Sequence, residues 1–124
     1  MAQLRSIGRV LVPVADQDEA IAFYTHVLGF TLTADVPFAQ GSRWVEVTPP
    51  GGGAAVALVP PQGGYQPGRM TGISLSSADS RADHAELAGK GVDVDAEIMG
   101  GDGTVPPLFF FRDHDKNTLM ISQD

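Results

Sequence analysis

Short apolar runs, separated by polar and Gly/Pro clusters, recur along the whole chain. Residues 7–14, Ile-Gly-Arg-Val-Leu-Val-Pro-Val, are β-branched and apolar and end just before Asp16, which reads as a strand. Pro13 has no N–H to donate, so this strand lies at an edge or ends its ladder there. Asp16 with Glu19 forms a capping-box-like start, and Ala20, Phe23, Tyr24, Val27 and Leu28 follow at helical spacing until Gly29 stops the helix. Phe30 to Val36 and Arg43 to Thr48 alternate as strands. The turn Pro49-Pro50-Gly51-Gly52-Gly53 then leads into a third strand-like run, Ala54 to Val59. The first half is therefore β-α-β-β-β.

Residues 60–70 carry three prolines and three glycines among eleven positions, the composition of an exposed connector. Beyond it the order repeats: strand Gly72 to Ser77, a cap at Asp79 or Ser80, a helix to Lys90, and a strand from Val92 to Met99. Strands Leu108 to Arg112 and Asn117 to Ser122 complete the second half. Val14-Ala15-Asp16 maps onto Ser77-Ala78-Asp79 at an offset of 63, and Ala57 maps onto Met120 at the same offset. A duplicated unit of this size buries its core by packing with a second one. The expected fold is α+β: two tandem βαβββ modules whose curved sheets flank a cleft, helices outside. It forms a single domain, 1–124, with module 1 at about 5–60, a linker at 61–70 and module 2 at about 71–123.

Composition narrows the function. At 124 residues, with 43% hydrophobic and 19% charged, the chain is sized and patterned for one folded domain. A net charge of -7 repels a phosphate backbone, which argues against nucleic acid. The scattered basic residues and the lack of a long apolar stretch argue against a membrane. No cysteine is present, which excludes thiolate nucleophiles and zinc sites built on sulfur. The start, Met1-Ala2-Gln3-Leu4-Arg5, lacks the pattern of a signal peptide, so a cytoplasmic location is expected.

Three stretches carry a family likeness: Val12-Pro13-Val14-Ala15-Asp16, then Ala20-Ile21-Ala22-Phe23-Tyr24 with Val27-Leu28-Gly29-Phe30, and finally Phe109-Phe110-Phe111-Arg112-Asp113-His114-Asp115-Lys116-Asn117. Through them the chain resembles the vicinal-oxygen-chelate superfamily of glyoxalases, bleomycin-resistance proteins and extradiol dioxygenases. The last stretch is similar to that family's Asp-Pro-Asp-Gly-Asn turn, with His114 and Lys116 substituted. In metal-dependent members the resemblance places one ligand on each module's first strand and one on each last strand. Those positions here are Arg9, Gly72, Ala57 and Met120, none of which suits a hard or borderline divalent ion. No metal and no cofactor are expected, and the resemblance points to the metal-free bleomycin-resistance branch.

If Arg9 and Ala57 face the cavity, alternation places Leu11 and Pro13 with Arg9, Ala55 and Val59 with Ala57, and Ser74 and Ser76 with Gly72. Trp44, beside Phe38 and Glu46, either stacks a planar ligand or fills core, and Glu46 either accepts a hydrogen bond from the ligand or is solvated. Arg9 pairs with Glu46 or another acid, or binds an anionic ligand group. Tyr65 and Met70 in the connector are placed as a lid, and Met99, Phe109, Phe111 and Met120 as an adaptable wall. Asp113-His114-Asp115 reads as turn chemistry, with metal binding at His114 the rival; His26 and His84 read as exposed surface.

The expectation that follows is a metal-free homodimer that sequesters a planar or aromatic small molecule in a mainly apolar groove. Its rival is a metal-independent isomerase, epimerase or lyase with Glu46 as base and Arg9 as oxyanion stabiliser.

Overall fold

The computed structural model describes residues 1–39 and 41–124. The fold is α+β, and the chain divides into two compact units, Met1–Pro67 and Gly68–Asp124. No helix among the described residues is long and apolar enough to cross a membrane.

The first unit runs β1 (Arg9–Pro13), α1 (Gln17–Ala22), a π turn (Phe23–Val27), β2 (Thr31–Phe38), β3 (Ser42–Thr48) and β4 (Ala55–Val59). Its sheet has the order β1-β4-β3-β2, with β1 parallel to β4 and the other pairs antiparallel. Gly8 O accepts from Ala55 N and Val14 N donates to Val59 O, so the even-numbered residues of β1 bond to β4. The backbone groups of Arg9, Leu11 and Pro13 then face the outer edge, where the missing N–H of Pro13 costs no ladder bond. Val12, Val14, Val45, Val47, Val56 and Leu58 are buried with Ala20 and Tyr24 of the helical segment.

A single helix running to Leu28 is not what forms. Six α-helical residues give way to a π turn in which Leu28 N reaches Phe23 O at 3.2 Å. Thr25 Oγ1 also donates to Ile21 O at 2.7 Å, a side-chain bond that competes with the regular backbone pattern.

The second unit runs β5 (Met70–Ser77), α2 (Ser80–Gly89), β6 (Leu108–Arg112) and β7 (Thr118–Gln123), with sheet order β5-β7-β6 and β5 parallel to β7. Met70, expected in the connector, opens β5. Gly72 sits in a register shift between Met70 and Ser74 with φ of +77°, a left-handed bulge that explains the glycine.

The strand expected over 92–99 is broken into isolated bridges, Val94 to Phe111 and Met99 to Leu108. Five residue steps on one side oppose three on the other, so a continuous antiparallel ladder is impossible between them. Arg112 ties this segment down from the side, donating to Asp93 at 3.0 Å and to Asp95 at 2.8 Å.

The offset of 63 holds in three dimensions. Asp16 caps α1 by accepting from Glu19 N, and Asp79 caps α2 by accepting from Ala82 N. Leu11 pairs with Ala57 as Ser74 pairs with Met120. The strands before the last one depart from it: Glu46 lies opposite Ala57, whereas Phe110, not Phe109, lies opposite Met120.

Candidate ligand site in the first unit

Alternation along the four strands of the first unit leaves one face to α1 and the π turn and the other open. Arg9 and Leu11 of β1, Trp44 and Glu46 of β3, and Ala57 and Val59 of β4 share the open face, as the pairings Leu11 to Ala57 and Glu46 to Ala57 require. On this face Glu46 Oε2 accepts from Trp44 Nε1 at 2.6 Å and from Arg9 Nε at 2.9 Å. One carboxylate oxygen thus holds both the indole and the guanidinium. Phe38 packs edge-to-face on Trp44, with ring centroids 5.8 Å apart and planes at 73°.

Beside this stripe is a cavity of about 280 Å³ lined by Leu11, Phe38, Ala39, Ser42, Arg43, Trp44, Val59, Pro60, Gln62 and Tyr65. Tyr65 is presented by a tight two-residue hairpin in which Gln62 and Tyr65 exchange backbone bonds of 3.1 and 2.8 Å. Its hydroxyl donates to Leu11 O, tying the connector to the outer edge of β1. Arg43 is gripped from two sides, its Nε by Asp35 at 2.9 Å and its Nη2 by Asp18 at 2.7 Å. These two carboxylates, Asp35 first, raise its pKa above the usual guanidinium value.

The sequence-derived candidates separate into distinct groups. Phe38, Trp44 and Tyr65 line the cavity with Leu11 and Val59 as apolar wall, and Glu46 and Arg9 follow Trp44 along the same face by hydrogen bonds without lining it. Ala57 lies on the same face but is fully buried between its neighbours and does not line the cavity. Met70, Gly72, Met99 and Met120 belong to the second unit, where Gly72 serves the β5 bulge and Met99 bridges to Leu108.

Phe109 and Phe111, expected as a pocket wall, are fully buried, and the Phe109 ring lies 4.9 Å from that of His84 on α2. They occupy the helix-covered face, and the half-exposed Phe110 takes the face of Met120. His84, expected at the surface, is half-buried, with Nε2 2.7 Å from Asp95 O.

The four positions that hold an ion in metal-dependent relatives do not fit one here. Arg9 is an ion-paired cation, Ala57 a buried methyl group, Gly72 a bulge without a side chain, and Met120 a soft thioether. Among the described residues no three of His, Cys, Asp or Glu gather as a ligand set. Asp113, in the Asp-His-Asp cluster, is spent on its turn: Oδ1 accepts from the N–H groups of Asp115 and Asn117 at 2.9 and 3.0 Å, and Oδ2 from Asn117 Nδ2 at 3.1 Å.

Comparison with known proteins adds a lineage. The Glyoxalase/Bleomycin resistance protein/Dioxygenase superfamily model matches residues 6–121. TnmS3, an antibiotic binding protein from Streptomyces sp. CB03234, is 32% identical with a TM-score of 0.85 over 99% of this chain and 98% of its own. A superfamily member from Sphaerobacter thermophilus DSM 20745 is 30% identical with a TM-score of 0.88 over 99% of this chain and all 100% of its own. YetH, an uncharacterized protein of Bacillus subtilis (strain 168), is 37% identical over 57 residues, which are 46% of this chain and 48% of YetH, so the match spans about half of that relative. With nearly its whole length matched, the chain belongs to the Glyoxalase/Bleomycin resistance protein/Dioxygenase superfamily.

Proposed function

We propose that the protein binds a planar or aromatic small molecule in the first-unit cavity and sequesters it without metal and without chemical change. The observation that carries this reading is the cavity itself: about 280 Å³, walled by Trp44, Phe38, Tyr65, Leu11 and Val59. Its size is near the lower end of the ~300–1,000 Å³ usual for small-molecule sites, and its lining has their mainly apolar character. The antibiotic binding of TnmS3, similar over nearly the whole chain, supports the same use.

The enzymatic alternative is less well served by the geometry. Glu46 and Arg9 do converge, but on each other, and Glu46 Oε2 is already occupied by two donors. An exposed apolar series on β2, Leu32, Val36 and Phe38, supports a homodimer in which a second copy covers this strand. Gel filtration at monomer mass over a dilution series would remove the dimer from the reading.

The test of function is native mass spectrometry of the purified protein, followed by incubation with a panel of aromatic antibiotics. The expected result is a one-to-one complex per chain from which the compound is recovered unaltered. A stoichiometric divalent ion, or a converted product, overturns the proposal.

A further inference from the structure

The Arg9–Glu46 pair lies next to this cavity, bonded through Glu46 to the Trp44 that lines it, and its asymmetry bears on ligand charge. Within the Arg9–Glu46 pair the carboxylate side chain keeps 14% of its accessible surface and the guanidinium side chain 51%. The acid is shielded and its Oε2 already receives two donors. The base is open, and its bond to Glu46 runs through Nε, which leaves the fork of terminal nitrogens for a second planar acceptor. The Arg43 guanidinium points to the opposite face of β3, where Asp35 and Asp18 of α1 hold it. An anion arriving on the Trp44 face meets Arg9, which is joined to the indole through one oxygen of Glu46.

We infer that the ligand is an aromatic carboxylate: its ring lies in the cavity against Trp44 and Phe38, and its carboxylate is taken by the terminal nitrogens of Arg9 as a planar pair. The inference rests on the cavity being a ligand site, as proposed above. Glu46 is then a positioning residue, holding ring and cation in register without touching the ligand.

Calorimetric titration of the full chain with naphthalene-2-carboxylate and with its neutral isostere naphthalene-2-carboxamide tests this. The acid is expected to bind about fivefold more tightly at low salt, the scale of a half-exposed charge-assisted pair. That advantage is expected to shrink as salt screens the pair. In Arg9→Gln the ratio of acid to amide affinity falls to about one and its salt dependence disappears. Equal affinity of acid and amide in the wild type, with no salt dependence, overturns the carboxylate inference and leaves the cavity reading standing. Binding of neither compound overturns both. The acid/amide comparison and its salt dependence need no variant, so a poorly folded Arg9→Gln does not block the answer.

Discussion

Lys116 occupies a left-handed conformation, φ +67°, in the turn between β6 and β7, and its replacement by glycine should make the protein more stable. Its side chain is exposed, and the turn is held by backbone bonds that do not depend on it: Lys116 N to Asp113 O at 3.0 Å and Asp113 N to Asn117 O at 2.9 Å. Gly53 stands at the matching position of the first unit, at φ +87°. A left-handed L-residue costs about 1–2 kcal/mol, and the greater freedom of glycine in the unfolded chain takes back about 0.4–1 kcal/mol. Lys116→Gly is thus expected to gain about 0.5–1 kcal/mol, or a rise in Tm of about 2–4 °C. Guanidinium unfolding followed by circular dichroism measures it, and Lys116→Ala is the control. Alanine removes the charge and the long side chain but keeps the Cβ, so it should change stability little. A glycine variant no more stable than the alanine variant refutes the backbone argument.

Asp113→Ala removes the acceptor for the N–H groups of Asp115 and Asn117 and for the Asn117 amide, and should cost about 2–3 kcal/mol in the same unfolding assay. Phe109→Ala, on the buried face beneath α2, should cost about 3–5 kcal/mol, whereas Phe110→Ala on the open face should cost distinctly less. The Asp93 carboxyl is held below the ordinary aspartate value of 3.8 chiefly by its hydrogen bond from Arg112, and that of Asp102 is held below the same value by the Thr104 hydroxyl and N–H. In this range the unfolded chain binds more protons than the folded one. The stabilisation is therefore present above pH 3.8 and is lost as pH falls through the depressed values. An Asp93→Asn/Asp102→Asn variant should show a shallower loss of stability below about pH 4 when unfolding is measured across acidic buffers.

The local signals proved legible where the deciding interactions are short in sequence. The Asp16 and Asp79 caps and the buried cores of the strands follow from residues that are close neighbours in sequence. Features decided by counting along two strands at once were not. The extra residues between Val94 and Met99 break a ladder that alternation alone predicts, and the π turn depends on how Thr25 spends its hydroxyl. In the site, alternation placed Leu11 and Val59 on the face of Arg9, while the bond from Tyr65 to Leu11 joins segments 54 residues apart and has no local signal.

The faces that Phe109 and Phe111 take follow from one count along the strands. Carried forward by 63 residues, Glu46 lands on Phe109, yet ten residues separate Phe110 from Met120 where eleven separate Glu46 from Ala57. The second unit's turn is one residue shorter, and strand period two converts that single step into an exchange of faces. A one-codon deletion in a turn can therefore swap every side chain that the preceding strand offers to its two faces, with the hydrogen-bonded ladder left in place. For a duplicated gene this is a quicker way to diversify a surface than substitution residue by residue. For an engineer it marks the 49–54 turn as a place where length and pattern are coupled: removing one residue would favour turning Trp44 and Glu46 toward the helix against the fully buried Val45 and Val47, so the deletion should destabilise the unit unless the pattern of β3 is exchanged with it.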